Sequence, residues 1–198
     1  KASGAKGIGA FVVDLKKPGA RIGHISLKMG GRGLTEAEII LENYKAGPED
    51  VLVEGDPESS RSFALLMSSF GPERVGNAAM CVGLAQGAFD AAKSYSEIRH
   101  QFGRPIKEFQ GLQWKIADMA TQIHAARLMV YRAATNPAPN GFPDPMDATM
   151  AKLYANEMAQ RVTNEALQIH GHNGYTREYP LERMVRDARG FALGGGTV

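Results

Sequence analysis

The sequence predicts an α+β chain: part of a β-barrel or β-sandwich domain, followed by an antiparallel four-helix bundle. Three observations carry this. Up to about residue 55, short β-branched and apolar runs alternate with glycine and proline punctuation. Beyond it, apolar residues recur at alternating steps of three and four over long stretches, which is the stripe of an amphipathic helix. Clusters of proline and glycine separate those stretches. The expected division is therefore 1–55 for the β part and 56–198 for the helical part.

Residues 8–15 read as a strand, Pro18-Gly19 as a turn, and residues 21–27 as a second strand. Residues 29–33 form a glycine-rich loop, and 37–43 a third strand. So few strands leave open edges that need partners, so the chain is expected to begin partway through a β domain. A short helix follows over 59–69. The long central helix opens near Pro72, a first-turn proline with no N–H to lose, beside Glu73 at the positive end of the dipole. Val75, Ala78, Val82, Ala85, Phe89 and Ala92 form its buried stripe, and Arg99 and Gly103 close it.

Gly103-Arg104-Pro105 reads as a break. Leu112, Ile116, Met119, Ile123, Ala126 and Val130 then give a second stripe over 109–135. Residues 136–145 hold four prolines and a glycine and read as a loop. Asp147 is the expected cap of a third long helix, with Met150, Leu153, Tyr154, Met158, Val162, Ala166 and Ile169 inward and Gly171 as its stop. Pro180 opens a fourth helix to about Phe191.

Of the 198 residues, 43% are hydrophobic and 22% charged, and the net charge is +2. That composition is wrong for a disordered chain, and no run of like charge argues for nucleic acid or an anionic membrane surface. No apolar run is long enough to span a bilayer. The single cysteine, Cys81, is expected as a small core hydrophobe in a reducing compartment.

Taken singly, the functional candidates have bland readings. Glu73 and Arg99 sit where they would complement a helix dipole. His170 and His172 lack the further ligands of a zinc site. Gly194–Gly196 lacks the lysine and the strand–loop–helix setting of a phosphate loop.

Their order is more informative. Arg99-His-Gln-Phe-Gly103, Phe109-Gln110, Gln168-Ile-His-Gly-His-Asn-Gly-Tyr175, Tyr179-Pro-Leu-Glu-Arg183 and Arg186-Asp-Ala-Arg189 together resemble the C-terminal half of an acyl-CoA dehydrogenase. Lys6-Gly-Ile-Gly-Ala-Phe-Val-Val-Asp14 and Lys28-Met-Gly-Gly-Arg-Gly33 are similar to that family's middle β domain. The resemblance covers nearly the whole chain. It lacks the family's N-terminal helical domain and first strands, and stops where the family continues into another helix. The piece alone is expected to be inactive.

The resemblance implies FAD-dependent α,β-dehydrogenation of an acyl-CoA thioester to the trans-2-enoyl-CoA, with electrons passing to an electron-transferring flavoprotein. It also implies a homotetramer in the bacterial cytoplasm or the mitochondrial matrix. Many members carry the catalytic glutamate where this chain has Gly195, which accepts no proton. A minority, of the isovaleryl and long-chain type, carry it directly before an arginine at the start of the central helix, as in Glu73-Arg74. Glu73 is thus the implied base, with Arg74, Gly195 and Gly196 on the substrate side. The implied FAD contacts are Arg99, Phe102, Gln110, Gln168, Gly171, His172 and Thr197, with His172 standing where the family has a second glycine. Two alternatives share the fold: a flavin monooxygenase or oxidase, which needs no such base, and a catalytically silent subunit.

Overall fold

The computed structural model describes residues 4–197. Their contacts divide them into two compact units, one of residues up to Lys28 with Arg32–Phe70, the other of Met29–Gly31 with residues from Gly71 on. Helix dominates and strands are few and short.

The first unit holds β1 (Ala10–Phe11), β2 (Ala20–Ile25), β3 (Ala37–Leu41), β4 (Val51–Val53) and α1 (Arg61–Ser68). β1 pairs antiparallel with β4, Ala10 facing Val53 and Phe11 facing Val51. β2 pairs antiparallel with β3 from Ala20–Leu41 to Ile25–Ala37, with an irregularity between Ile22 and Ile25. The strand expected over 8–15 is therefore only two residues long. Alternation marks which residues suit a strand, whereas its length is set by the partner backbone within reach. Lys17 and Asp50 form an ion pair at 2.7 Å, and Phe11, Val12, Ile22, Ile25, Ile39 and Leu41 are exposed.

The second unit holds the hydrophobic core. Its elements are α2 (Phe70–Ile98), a hairpin of β5 (His100–Gln101) and β6 (Arg104–Pro105), α3 (Gln110–Thr135), α4 (Pro145–His170), α5 (His172–Tyr175) and α6 (Leu181–Phe191). α3 packs on α4, and α4 on α6. The α2 stripe is buried at Val75, Ala78, Val82, Ala85 and Ala92, with Phe89 half-buried. No described helix is long and apolar enough to cross a membrane.

Three expectations need correction. First, the cap of α4 is Asp144, whose carboxylate accepts from the backbone N–H groups of Met146 and Asp147, each at 3.0 Å. Pro145 then takes the first helical position, where its fixed φ and missing N–H cost nothing. Asp147 lies inside the first turn and binds Arg132 at 3.0 Å and Asn136 at 2.9 Å, and these partners hold its carboxyl below the usual range.

Second, the inward face of α4 is rotated over its first half. Met150 and Leu153 are 45% and 44% exposed, whereas Ala148, Ala151 and Ala155 are fully buried. Small side chains let neighbouring helices approach closely, so the helix turns its alanines inward and its larger residues out. Third, the break at 103–105 is part of the turn and the second arm of the β5–β6 hairpin. Phe102 and Gly103 form its two-residue turn with φ of 53° and 80°, the paired positive values of a type I′ hairpin.

Candidate active site and adjoining cavity

Two clusters of polar side chains form in the helical unit, one at each end of α2. At the N-terminal end, Glu73 and Arg74 lie in the first turns and face the segment that follows α6. Arg74 donates from Nε to the Gly195 carbonyl at 3.3 Å, and Asn77 donates from Nδ2 to the Phe191 carbonyl at 3.2 Å. Lys152, reaching across from α4, donates to the Gly196 carbonyl. Gly195 has a φ of +66°, and a Cβ built there would sit 3.2 Å from Glu73 Oε1. Glu73, Arg74, Gly195 and Gly196 are thus brought together, although 121 positions separate Arg74 from Gly195.

Behind this surface lies a buried polar group. Asn156 is fully buried and donates to Asn77 Oδ1 at 2.7 Å and to Cys81 Sγ at 2.9 Å. Burial pushes the Cys81 thiol up to about 11, so it stays protonated at neutral pH. Lys152 is only 4% exposed. Burial lowers its pKa from the ordinary lysine value, and Arg74 acts in the same direction, whereas Cys81 and Glu73 raise it.

At the other end of α2 a cavity of about 280 Å³ is lined by Tyr95, Arg99, Gln101, Ile106 and the Ile169–Asn173 segment. Helix α4 stops here because Gly171 takes a φ of +60°, where an L side chain is strained. No heavy atom lies within 4 Å of where its Cβ would be, so a ligand has free access to that backbone. His170 forms the wall. It is buried, stacked on Tyr95 with ring centroids 4.3 Å apart, and packed edge-on against Tyr179. Its Nδ1 lies 2.8 Å from the Ala166 carbonyl. Burial holds its pKa below the ordinary histidine value, against the pull of that hydrogen bond. One exposed guanidinium, an open glycine turn and an aromatic wall make a donor set suited to an anionic ligand with a planar group.

Arg99, Gly171 and His172 therefore converge on one cavity, while Phe102, Gln110 and Gln168 are exposed and outside its lining. Phe102 is 92% exposed at the hairpin tip in a backbone region that non-glycine residues rarely adopt. Its ring meets Phe109 edge-on at 6.2 Å, and the Arg104 guanidinium lies over the Phe109 ring, 4.2 Å from its centroid. Thr197 is exposed just beyond Gly196. Lys152, Asn77, Asn156 and His170 were not among the expected site residues. For Lys152 a signal existed: Ala148, Ala151, Ala155 and Ala159 surround it at helical spacing, marking a lysine on a buried face.

The family model described as Acyl-CoA dehydrogenase, C-terminal domain, matches residues 62–198. Over 189 residues the chain is 50% identical to the 3-sulfinopropanoyl-CoA desulfinase of Paraburkholderia xenovorans, covering 96% of this chain and 48% of that protein. It is 42% identical over 194 residues to the caffeyl-CoA reductase-Etf complex subunit CarC of Acetobacterium woodii, covering 98% of this chain and 50% of that one. The solved structure of butyryl-CoA dehydrogenase from Megasphaera elsdenii superposes with a TM-score of 0.93 at 38% identity, over 100% of this chain and 50% of that chain. The chain spans about half the length of the relatives it matches.

Proposed function

The chain belongs to the acyl-CoA dehydrogenase family, and from that premise we propose that the protein it represents is an FAD-dependent acyl-CoA dehydrogenase with Glu73 as its base. In this reading residues 1–55 are the end of the middle β domain and 56–198 the C-terminal four-helix bundle. The supporting observation is the 3.2 Å approach between Glu73 Oε1 and the Cβ position of residue 195. A carboxylate carried by α2 and one carried by the loop after α6 would serve the same small volume, so a glycine at 195 leaves that volume to Glu73.

Glu73 takes the proton from the carbon next to the thioester, which is acidified by the carbonyl. Arg74 fixes the loop wall beside it, and Gly195 and Gly196 leave room for the acyl thioester. FAD, when bound, supplies the acceptor for the hydrogen leaving the neighbouring carbon. Its holders are Thr197, beside the base, and, reaching the flavin of a neighbouring subunit from the other end of α2, Arg99, Phe102, Gln110, Gln168, Gly171 and His172; the donor set around the cavity fits a dinucleotide's phosphates. The reduced protein passes its electrons to an electron-transferring flavoprotein, a reading supported by the Etf-complex relative. Assembly is a homotetramer, and the bacterial sources of the relatives favour the bacterial cytoplasm.

A second reading is desulfination of a sulfinylated acyl-CoA, favoured by the 50% identical desulfinase. One experiment separates the two. The full-length protein is assayed with butyryl-CoA and with 3-sulfinopropanoyl-CoA, following enoyl-CoA and sulfite. In Glu73→Gln, flavin content should be unchanged and enoyl-CoA formation should fall roughly 10²- to 10⁴-fold, the range of general-base catalysis. Near-normal turnover in that variant defeats the assignment of the base. Sulfite release without enoyl-CoA establishes the second reading.

A further inference from the structure

The segment that carries Gly195 holds its own shape only at its start, where the Leu193 and Gly194 N–H groups donate to the Gly190 carbonyl. Gly194, Gly195 and Gly196 are consecutive, the last two with φ of +66° and +96°, and glycine loses more conformational freedom on ordering than any other residue. Without side chains, the run can be fixed only through its backbone. Two side chains from two other helices do this, Arg74 on Gly195 and Lys152 on Gly196, while Asn77 holds the Phe191 carbonyl at the end of α6 just before the run. Asn77 is itself oriented by the fully buried Asn156.

Lys152 is the costly member of this set. Its ammonium is removed from water on a helix face where its near neighbours are Ala148, Ala151 and Ala155, with Asn156 one turn on, and an apolar residue there would pack without a desolvation penalty. We infer that Lys152 is a positioning residue: it pins the glycine run so that Gly195 stays against the Glu73 carboxylate and holds that carboxylate in place. The charged groups of α2 that act on it are Glu73 and Arg74, with opposite effects on its pKa. This inference rests on the dehydrogenase reading above, in which Glu73 is the base.

The test uses the full-length, flavin-loaded protein and butyryl-CoA. Lys152→Met keeps the stem and removes the ammonium; Lys152→Gln keeps a neutral donor and serves if the methionine variant does not fold. Amide hydrogen exchange is read on peptides spanning 192–197, together with kcat and KM. In Lys152→Met, exchange in that segment should quicken at least tenfold, and kcat should fall about 10- to 100-fold with KM changed only a few-fold. Lys152→Gln should recover part of the protection. In the Glu73→Gln background, Lys152→Met should add little further loss, because a residue acting through the base has nothing left to position.

Unchanged exchange at 192–197 in the folded variants overturns the proposal, and so does a loss that multiplies in full on top of Glu73→Gln. Normal turnover in Glu73→Gln alone would instead remove the base assignment, while the exchange measurement would still decide whether Lys152 holds the loop.

Discussion

Gly195→Ala tests the geometry of the site with a single methyl group. The backbone there has a φ of +66°, and an L residue held in that region costs about 1–2 kcal/mol. The added Cβ would lie 3.2 Å from Glu73 Oε1, 3.7 Å from its carboxyl carbon and 3.9 Å from Arg74 Cγ. The nearest atom is the far end of an exposed, flexible side chain, so the clash is relieved by moving the carboxylate and adds little to the backbone cost. Stability should therefore fall by about 1–2 kcal/mol, which leaves a typical domain almost wholly folded at 25 °C. Any larger fall in kcat/KM then reports displacement of Glu73, and at least a tenfold loss is expected. Urea unfolding and steady-state enoyl-CoA formation on the full-length protein supply the two numbers. Gly195→Glu in the Glu73→Gln background should return part of the activity at the same strain cost, since its carboxylate starts from the same volume. A Gly195→Ala variant of unchanged stability and unchanged kcat/KM would refute both the strain argument and the proximity argument.

Two further perturbations address the other end of α2. Arg99→Ala should lower flavin retained per subunit after gel filtration, and Arg99→Lys should restore it only in part because an ammonium cannot fork across two oxygens; full flavin content in Arg99→Ala would exclude the role. His170 has its folded-state pKa lowered from 6.5, mainly by burial, so below that value the unfolded chain takes up the proton before the folded one does. Its contribution to stability is therefore complete above about pH 6.5 and is lost as pH falls towards the folded pKa. Urea midpoints at pH 7.5 and pH 5 should differ less in His170→Phe, which keeps the stacking on Tyr95 but cannot titrate; an identical difference in the two proteins would count against it.

The helices and the breaks between them were legible in the residue pattern because helical periodicity is local. The buried stripe of α2, the Gly171 stop and the start of α6 after Pro180 all follow from residues within a few positions of each other. The order of short motifs from Arg99 to Arg189 was legible in the same way, and it carried the family. A glycine at 195 and a glutamate at 73 could also be read as alternatives from the sequence.

The family resemblance implied that the two positions serve the same substrate carbon, but residue periodicity could not bring them together, because that depends on how α2 and the segment after α6 meet across most of the chain. The same holds for α4, where the pattern pointed Met150 and Leu153 inward and the close approach of its neighbours instead buried Ala148, Ala151 and Ala155. That choice buried Lys152 and brought its ammonium to the Gly196 carbonyl. Asp144 rather than Asp147 caps that helix because a cap is defined by the backbone angle at which the chain enters, and both aspartates precede the apolar run. Periodicity identifies the faces that can be buried; packing, which sums contacts between residues far apart in the chain, decides which face is buried and what it touches.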